Sequence, residues 1–535
     1  GAITFSAFQT ARMDVLAFRR EQGRQSQQPF WARYYLDLIC AALCVVGYLE
    51  LGQFGNTSVR AQLPGGASSP LLLVSPALLL LAGALVTLRL APLAAALGER
   101  VAARGRGFSA MLAFAQVERT PAKYLRMTLL LTLAVGLGIF AISYNASLQR
   151  NVSDNASYTV GSSLRLSQRF TEAQGFAAKI EQSYRAQPGV RVLSPVYRTV
   201  ATTTADQGAT SLSMLVIDPT TFGQAVNPVS WRSDYASASL PQLMQDLQSN
   251  TSAQSGVGAP IWAIVSQSFA QQNFLKVGDK FALTLNENAF GTNNFVVGAI
   301  VSGFPTLYPQ QYPAGFIVVD QTSFDQAVKS GNPGAGIVLG PNEFWVLTDG
   351  VAAHEAAFTH YIGEHPELDT ETALSLRDTL ATARANPVSS GMRGLLLIGA
   401  IMAALLAVLG AIIQSALAAR QRATQFAVLR TLGVGNRELT QILLSEQSVV
   451  YVFGLVGGTA LGALLVTATL PFLQFSDRPV DPALLGTPPY VLVTDPQALG
   501  VFYLALLLAF VVALVIAARY AATVGLGRAL RLGED

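Results

Sequence analysis

Charge is scarce in this chain: Asp, Glu, Lys and Arg make up 13% of its 535 residues, where a soluble domain carries about 25%. Cysteine is scarcer still, with Cys40 and Cys44 four apart in one apolar run. That spacing suits packed thiols on a helix, and two cysteines cannot make a disulfide framework. A GxxxxGK[ST] stretch is missing, so the chain lacks the standard phosphate cradle and no nucleotide cofactor is expected in it. The histidines His354, His360 and His365 share one stretch, HEAAFTHYIGEH, without HExxH spacing, which reads as a solvated surface and not as a zinc site. No Ser-His-Asp or paired-carboxylate arrangement can be read from spacing, so no catalytic or metal-ligating residue is assigned. A formal net charge of +3 is too small to argue for nucleic acid.

What is abundant is apolar surface, at 51% of residues and a positive mean hydropathy of +0.40. Six uncharged or nearly uncharged runs are long enough to cross a bilayer, for which roughly 20 apolar residues suffice. The first, Tyr34 to Leu51, is weakened by Asp37 and Glu50, which must sit near the two interfaces. The second lies within Ala61 to Leu88, the third within Met127 to Gln149, the fourth within Gly394 to Ala419, the fifth within Gln447 to Ser476 and the last within Pro496 to Ala518.

Basic residues fix the orientation. Eighteen of them, including Arg12, Arg19, Arg104, Arg119, Lys123, Arg420, Arg430, Arg437 and Arg519, fall on the start, the second-to-third connection, the fourth-to-fifth connection and the tail. The two short connections on the other side hold Arg60 and Arg478 alone. Both termini are therefore expected in the cytoplasm of a multi-pass cell-membrane protein, with the long insert between spans three and four outside. The expected layout is a cytoplasmic segment 1–33, two spans in 34–97, an amphipathic elbow in 98–126, a third span at 127–149, the outside domain at 150–388, a fourth span at 389–419, a cytoplasmic segment 420–445, a fifth span at 446–476, a short loop 477–496 and a last span with tail at 497–535.

In the outside insert, strand-like runs at Ser163 to Ser167, Val190 to Thr203, Ser211 to Ile217, Ile261 to Val265, Phe281 to Leu285, Asn294 to Val301, Gly315 to Val319 and Phe344 to Leu347 alternate with helical patterns. Those patterns fall at Ala173 to Ala186, Leu240 to Leu247, Gln267 to Phe274 and Val351 to Gly363, a mixture that predicts an α+β domain. The helical QRNVSDNASYTVG predicts that the third span continues outward as a stalk. Ser375, with Asp378 three residues on, predicts the capped start of a helix returning to the fourth span.

The segment 420–445 predicts a stiff knob at the inner face. Ala423 to Leu432 is helix-forming, Gly433-Val434-Gly435 breaks it, and Asn436 caps a restart through Arg437, Glu438 and Leu439. In the span that follows, Gly454, Gly458 and Gly462 stand four apart with Gly457 beside them, a stripe that permits close helix approach. Glu446, at the inner start of that span, is read as an interfacial group within reach of headgroups, Arg420 or Arg422.

The phrase FAVLRTLGVGNRELTQILLSEQSVVYVFGLVGGTALGALL resembles the signature of FtsX-like and MacB-like ABC-transporter permeases. IVSQSFAQQNFLKVGDKFALTLN, followed by FVVGAIVSGFPTLYP, resembles the MacB-like periplasmic core. The resemblance covers roughly Ala110 to Leu532, is weakest across Ala201 to Gly256, and includes two spans beyond those of the shortest members. It implies six helices of such a permease with a large extracytoplasmic α+β domain, and a start at Gly1 that matches the second half of a long ten-span member.

The implied partners are cytoplasmic ABC ATPase subunits, a second permease half and membrane lipid, with no nucleic acid. The implied ATPase-coupling residues are Arg430, Leu432, Gly433, Asn436, Arg437, Glu438 and Leu439. The implied function is to transmit an ATP-driven change to the outside domain for export or extraction of lipid, lipoprotein, peptide or drug-like molecules. The alternatives are a receptor or scaffold without transport, and a mechanotransmitter activating a cell-wall hydrolase.

Overall fold

The computed structural model describes residues 42, 79–87, 89–90, 96, 98–100, 121–169, 176–203, 210–253, 260–285, 291–307, 314–331, 340–385, 387–421, 435–473, 488 and 491–523. The chain divides into two compact units. One comprises Gly1–Ser147, Gly391–Ser476 and Leu492–Asp535, the other Leu148–Ser390 and Asp477–Val491.

Helix α1 (Pro121–Val160) starts at a proline, whose fixed φ and missing N–H suit a first helical turn. It continues without a break past the expected span end at Gln149. It stops at Gly161, whose φ of +81° is the left-handed conformation that ends many helices. A Cβ at Gly161 would run into the indole of Trp345, so glycine is required there on two counts.

The second unit is built on a nine-stranded mixed sheet: β1 (Leu164–Gln168), β2 (Val190–Thr203), β3 (Ser211–Ile217), β4 (Ile261–Ser266), β5 (Lys280–Leu285), β6 (Thr292–Val301), β7 (Phe316–Asp320), β8 (Glu343–Thr348) and β9 (Thr370–Ser375). Their spatial order is β3-β7-β4-β6-β5-β2-β8-β1-β9, and a further β2–β3 pairing closes a circuit of strands. The 14 residues of β2 make this possible, since its two ends have different neighbours. Val190 to Val196 pairs with β8, while Val196 to Thr202 pairs with β3. Among the described strands, only the pairs β3–β7 and β4–β6 run parallel.

The period of two sorts side chains onto two cores. In β3, Leu212, Met214 and Val216 enter one and Leu215 and Ile217 the other; in β7, Ile317 and Val319 oppose Phe316 and Val318 in the same way. Helices α2 (Phe176–Arg185), α3 (Pro219–Ala225), α4 (Leu240–Ala253), α5 (Gln267–Gln272), α6 (Gln321–Gly331), α7 (Ala352–Glu364) and α8 (Leu376–Arg384) complete the unit. Asp218 caps α3 by accepting from Thr220 N, and Ser375 caps α8 by accepting from Asp378 N.

After it come α9 (Pro387–Gln421), α10 (Asn436–Leu473) and α11 (Pro496–Thr523). Four helices among the described residues are long and apolar enough to cross a membrane: Met127–Val160, Arg393–Ile413, Leu444–Leu470 and Pro496–Ile516. All but one residue of the expected first span lies outside the described residues, and of the second 79–87 are helical. The elbow lies outside them up to residue 120 apart from 98–100.

One ion pair sits at the centre of the outer sheet. Arg198 donates to Glu343 from Nε at 2.6 Å and from Nη2 at 3.2 Å, and Trp345 Nε1 donates to the same carboxylate at 3.2 Å. Burial alone would raise the Glu343 carboxyl, but Arg198, with help from Arg165 and Trp345, holds it down at about 2. A depressed folded pKa contributes stability above the ordinary value of 4.5 that is lost as pH falls toward 2. The outer domain is therefore expected to lose stability progressively below about pH 4.5. Arg198→Met, which strands a buried carboxylate, is expected to cost about 3–5 kcal/mol near neutral pH. Denaturation followed by tryptophan fluorescence checks both; a variant as stable as the parent would show that the pair is not a structural anchor.

Candidate coupling site

Helix α10 begins at Asn436 and contains no proline or glycine before Gly454, so the restart and the following span form one continuous helix. Asn436, Arg437, Glu438 and Leu439 make up its first turn. Arg430, Leu432 and Gly433 lie outside the described residues, as does the helix expected from Ala423 to Leu432. Gly435, just before the helix, is exposed, and a Cβ there would meet open space.

From this start, α10 runs against α1. A Cβ at Gly454 would lie 2.6 Å from Leu131 Cδ2, at Gly458 2.5 Å from Val135 Cβ and 3.0 Å from Thr132 O, and at Gly462 2.8 Å from Ile139 Cβ. Gly457 faces the side instead, where a Cβ would overlap Thr87 Cγ2 of the helical stretch 79–87. Leu461, between the glycines, is buried and fills the space left by Gly83 and Gly136. The four-residue spacing thus gives a groove into which the β-branched side chains of α1 fit, without a bulky side chain holding the backbones apart.

Helix α1 is also approached by α9, where Gly410 faces Leu130 Cδ1 at 3.0 Å, and by α11, where Gly138 of α1 receives the ring of Phe502. Its most apolar window is 72% buried in the protein, against 11% for α9 and 6% for α11. The exposed faces of α9 and α11 are bulky aliphatics such as Leu395, Ile398, Leu405, Val501, Leu504 and Leu508.

The end of this packing nearest the start of α10 is polar and buried. Glu446 is 2% exposed and accepts from the Tyr124 hydroxyl; Thr128 Oγ1 donates to Tyr124 O at 3.0 Å. This corrects the interfacial reading of Glu446: the carboxylate is turned into the helix packing, where Tyr124, in the first turn of α1, meets it. The side chain of neighbouring Gln447 is buried as well, with neither amide atom bonded among the described residues. The side chains of Gln414 and Ser415 lie outside the description.

At its other end α1 enters the sheet unit. Asp154, 3% exposed, accepts from Arg232 Nη1 at 3.2 Å and has Arg150 Nε at 2.9 Å. Arg232, itself 7% exposed, is forked onto Asp234 by Nε at 2.9 Å and Nη2 at 2.6 Å. One turn on, Tyr158 stacks edge-on against Tyr235, donates to Leu307 O and accepts from Phe304 N, while its own carbonyl takes Thr306 N at 2.8 Å. Sequence reading missed Asp154 and Arg232 as a pair because 78 positions separate them. The signal available was an acid on the stalk helix where an exposed stalk has no need of one.

The histidines do not converge. His354 is held by Asp349 at 2.7 Å, His360 lies 3.3 Å from Glu364, and His365 stacks on Tyr361. Among the described residues no group of three or more His, Cys, Asp or Glu is arranged to hold a metal ion.

Residues 397–525 match the family model described as FtsX-like permease C-terminal. Among solved structures, the chain is similar to the periplasmic region of MacB from Actinobacillus actinomycetemcomitans, with 11% identity, 43% of this chain and 95% of that one covered and a TM-score of 0.26. It is also similar to the extracellular domain of the noncanonic ABC-type transporter YknZ from Gram-positive bacteria, with 10% identity, 39% and 98% covered and a TM-score of 0.23. No curated protein sequence matches the chain.

The glycine contacts rank the effects of adding a methyl group. At Gly454 the obstacles are Leu131 Cδ2 at 2.6 Å and Leu131 Cβ and Cγ at 2.9 Å; at Gly458 they are Val135 Cβ at 2.5 Å and, in addition, the backbone carbonyl of Thr132 at 3.0 Å. Gly458→Ala is expected to cost about 1–3 kcal/mol by overpacking, and Gly454→Ala less. Gly500→Ala, with open space around it, is expected to be neutral or slightly stabilising. Thermal unfolding of the three variants in mild detergent gives the order, and equal midpoints for Gly458→Ala and Gly500→Ala would dismiss the close approach.

Proposed function

We propose that this chain is the moving subunit of an ATP-driven permease: a cytoplasmic ATPase pushes on the start of α10, the α10–α1 packing carries the displacement, and the outer domain receives it. The observation that carries this reading is the continuity of two helices. Helix α10 joins the proposed coupling turn, Asn436 to Leu439, to the glycine groove without a break. Helix α1 joins that groove to Asp154 and Tyr158.

The match of residues 397–525 to the FtsX-like permease model supports an ATPase partner, since this chain has no phosphate loop of its own. The exposed aliphatic faces of α9 and α11 suit lipid or the apolar flank of a second permease half. Work is delivered outside, on lipid, lipoprotein, peptide or drug-like molecules, with both termini in the cytoplasm of the cell membrane. Six spans, four of them now described in whole or part as long helices with residues 79–87 of another, fit this arrangement.

A receptor or scaffold reading shares the architecture and differs in having no hydrolysis to transmit. The test is the effect of the coupling turn on a co-purifying ATPase. Arg437→Glu, Arg430→Glu and Leu439→Pro are each expected to lower ATPase stimulation at least about tenfold, a loss of roughly 1.4 kcal/mol in coupling, while membrane insertion is unchanged. Full stimulation in all three would remove this turn as the coupling element, and absence of any ATPase from the native complex would favour the receptor.

A further inference from the structure

The turn between α5 and β5 carries a side chain that the fold does not use. Helix α5 ends at Gln272, and the chain leaves it by a left-handed cap: Leu275 N reaches back to Ala270 O at 2.8 Å, and Phe274, at φ +54°, stands where glycine is the ordinary choice. Among the described residues, Thr306 and Asp369 are the other non-glycine residues with positive φ. Aspartate adopts that conformation readily, and Thr306 is buried with its hydroxyl accepting from Arg198 Nη2. Phe274 has neither reason. Its ring is 90% exposed, so it carries the strain of a bulky left-handed residue and gains no packing in return.

Three residues on, Val277 is 63% exposed, and these are the two most exposed large apolar side chains among the described residues of the sheet unit. Beside them stand Lys276 and Lys280, both exposed and in no ion pair among the described residues. The acid of the turn, Asp279, is directed at its own backbone, where Oδ2 accepts from Lys276 N at 2.8 Å. The turn itself is fixed. Asn273 Nδ2 donates to Phe269 O at 2.9 Å, Gly278 N to Val297 O at 2.7 Å and Val297 N to Asp279 O at 2.9 Å, while Leu275 packs against the core that holds Phe269 and Phe295. A rigid loop thus presents one ring, one valine and two cations to its surroundings.

We propose that this turn, residues 273–280, is a membrane-surface anchor that seats Phe274 and Val277 at the boundary between headgroups and acyl chains of an anionic leaflet, with Lys276 and Lys280 on its phosphates. Insertion removes apolar area from water without requiring the turn to rearrange, and the lysine stems lie along the boundary while their ammonium groups reach the headgroups. The composition favours lipid over a protein partner. Stable protein interfaces bury about 1,200–2,000 Å² and are depleted in lysine. Here Gln271, Gln272 and Asn273 next to the ring are exposed and polar, so the turn offers two apolar side chains and no continuous patch. Two inserted side chains bind weakly by themselves, but the domain is covalently part of a chain with long apolar helices, and tethering raises the effective concentration of such a contact. The anchor needs neither ATP nor the permease reading.

Tryptophan fluorescence of the full chain reads the contact, after reconstitution into vesicles of phosphatidylcholine with about 30% phosphatidylglycerol, with or without bromine on the acyl chains. The emission that Phe274→Trp adds to the parent's is expected to fall at least about twofold in the brominated vesicles, as is that of Val277→Trp, because bromine quenches only rings that reach the lipid. Val351→Trp, at an exposed valine elsewhere in the sheet unit, is expected to be unaffected. Adding Lys276→Glu and Lys280→Glu to Phe274→Trp, or using phosphatidylcholine alone, is expected to remove most of the quenching. Phe274→Gly, which keeps the left-handed cap without a side chain, is expected to unfold at a temperature no lower than the parent's. Unquenched emission at both 274 and 277 overturns the anchor, and so does equal quenching at 351. Quenching that persists in phosphatidylcholine alone overturns the part given to the lysines. A lower unfolding temperature for Phe274→Gly shows that the fold does use the ring and overturns the premise. Emission that ignores lipid but shifts when a co-purified subunit is added assigns the turn to a protein partner and overturns the lipid contact.

Discussion

The close approach of α1 and α10 is the constraint on which the first unit depends. Helices in lipid gain little from hiding apolar surface, because the tails around them are as apolar as leucine; dispersion and geometric fit must hold them together. That fit requires small residues on one side and shaped ones on the other. Gly454, Gly458 and Gly462 supply the first, and Leu131, Val135 and Ile139 the second. The register is set with little freedom, since sliding α10 by one residue would put Leu455 or Thr459 where a glycine now faces Leu131 or Val135. The buried Tyr124–Glu446 contact at the inner end reinforces the register, because a displaced carboxylate would be left in an apolar setting without its donor.

The sheet unit is organised by period two. Its strands alternate between two cores, and β2, long enough to serve two neighbourhoods, closes the strand circuit and leaves β9 as the edge beyond β1. That edge is short and carries Glu371 on an exposed surface, a composition that discourages pairing with another chain. Among its buried polar groups, the ion pairs Arg198–Glu343 and Arg232–Asp154 are linked to the chain segment after β6 or to the end of α1 and do not simply fill a core.

Legibility followed locality. Eight strands of the outer domain stood out from the sequence, because alternating β-branched and aromatic runs between turns mark strands directly; their ends shift by a residue or two in the structure. β9, TETALS, was missed because an exposed edge strand lacks that apolar pattern. α3 was missed although Asp218 followed by Pro219 is a start signal, because seven residues are too few to show a period. α4 runs to Ala253, beyond the expected Leu247, on a polar surface where apolar spacing fades. The glycine stripe was readable as a groove, yet what fills it was not, since Val135 lies far away in the chain. Glu446 was misread for the same reason: its position at the head of an apolar run suggests an interface, and only the fold brings Tyr124, 322 positions earlier, to its side.

The same distinction separates the two ends of α1. Its inner part could be recognised as a span from composition alone, but the acid at Asp154 looked like ordinary stalk polarity. A carboxylate that is nearly inaccessible on a helix leaving an apolar bundle carries a desolvation penalty, which a water-facing stalk would avoid by keeping the acid exposed. Arg232 offsets that penalty from one side and Arg150, four residues earlier on the same helix, from the other, so withdrawing the helix would part Asp154 from Arg232 and leave it with Arg150 alone. Shape alone would let the helix turn or slide among similar apolar contacts; Arg232, held in one orientation by its fork on Asp234, meets Asp154 in one arrangement, a constraint that the apolar packing around Tyr158 does not supply.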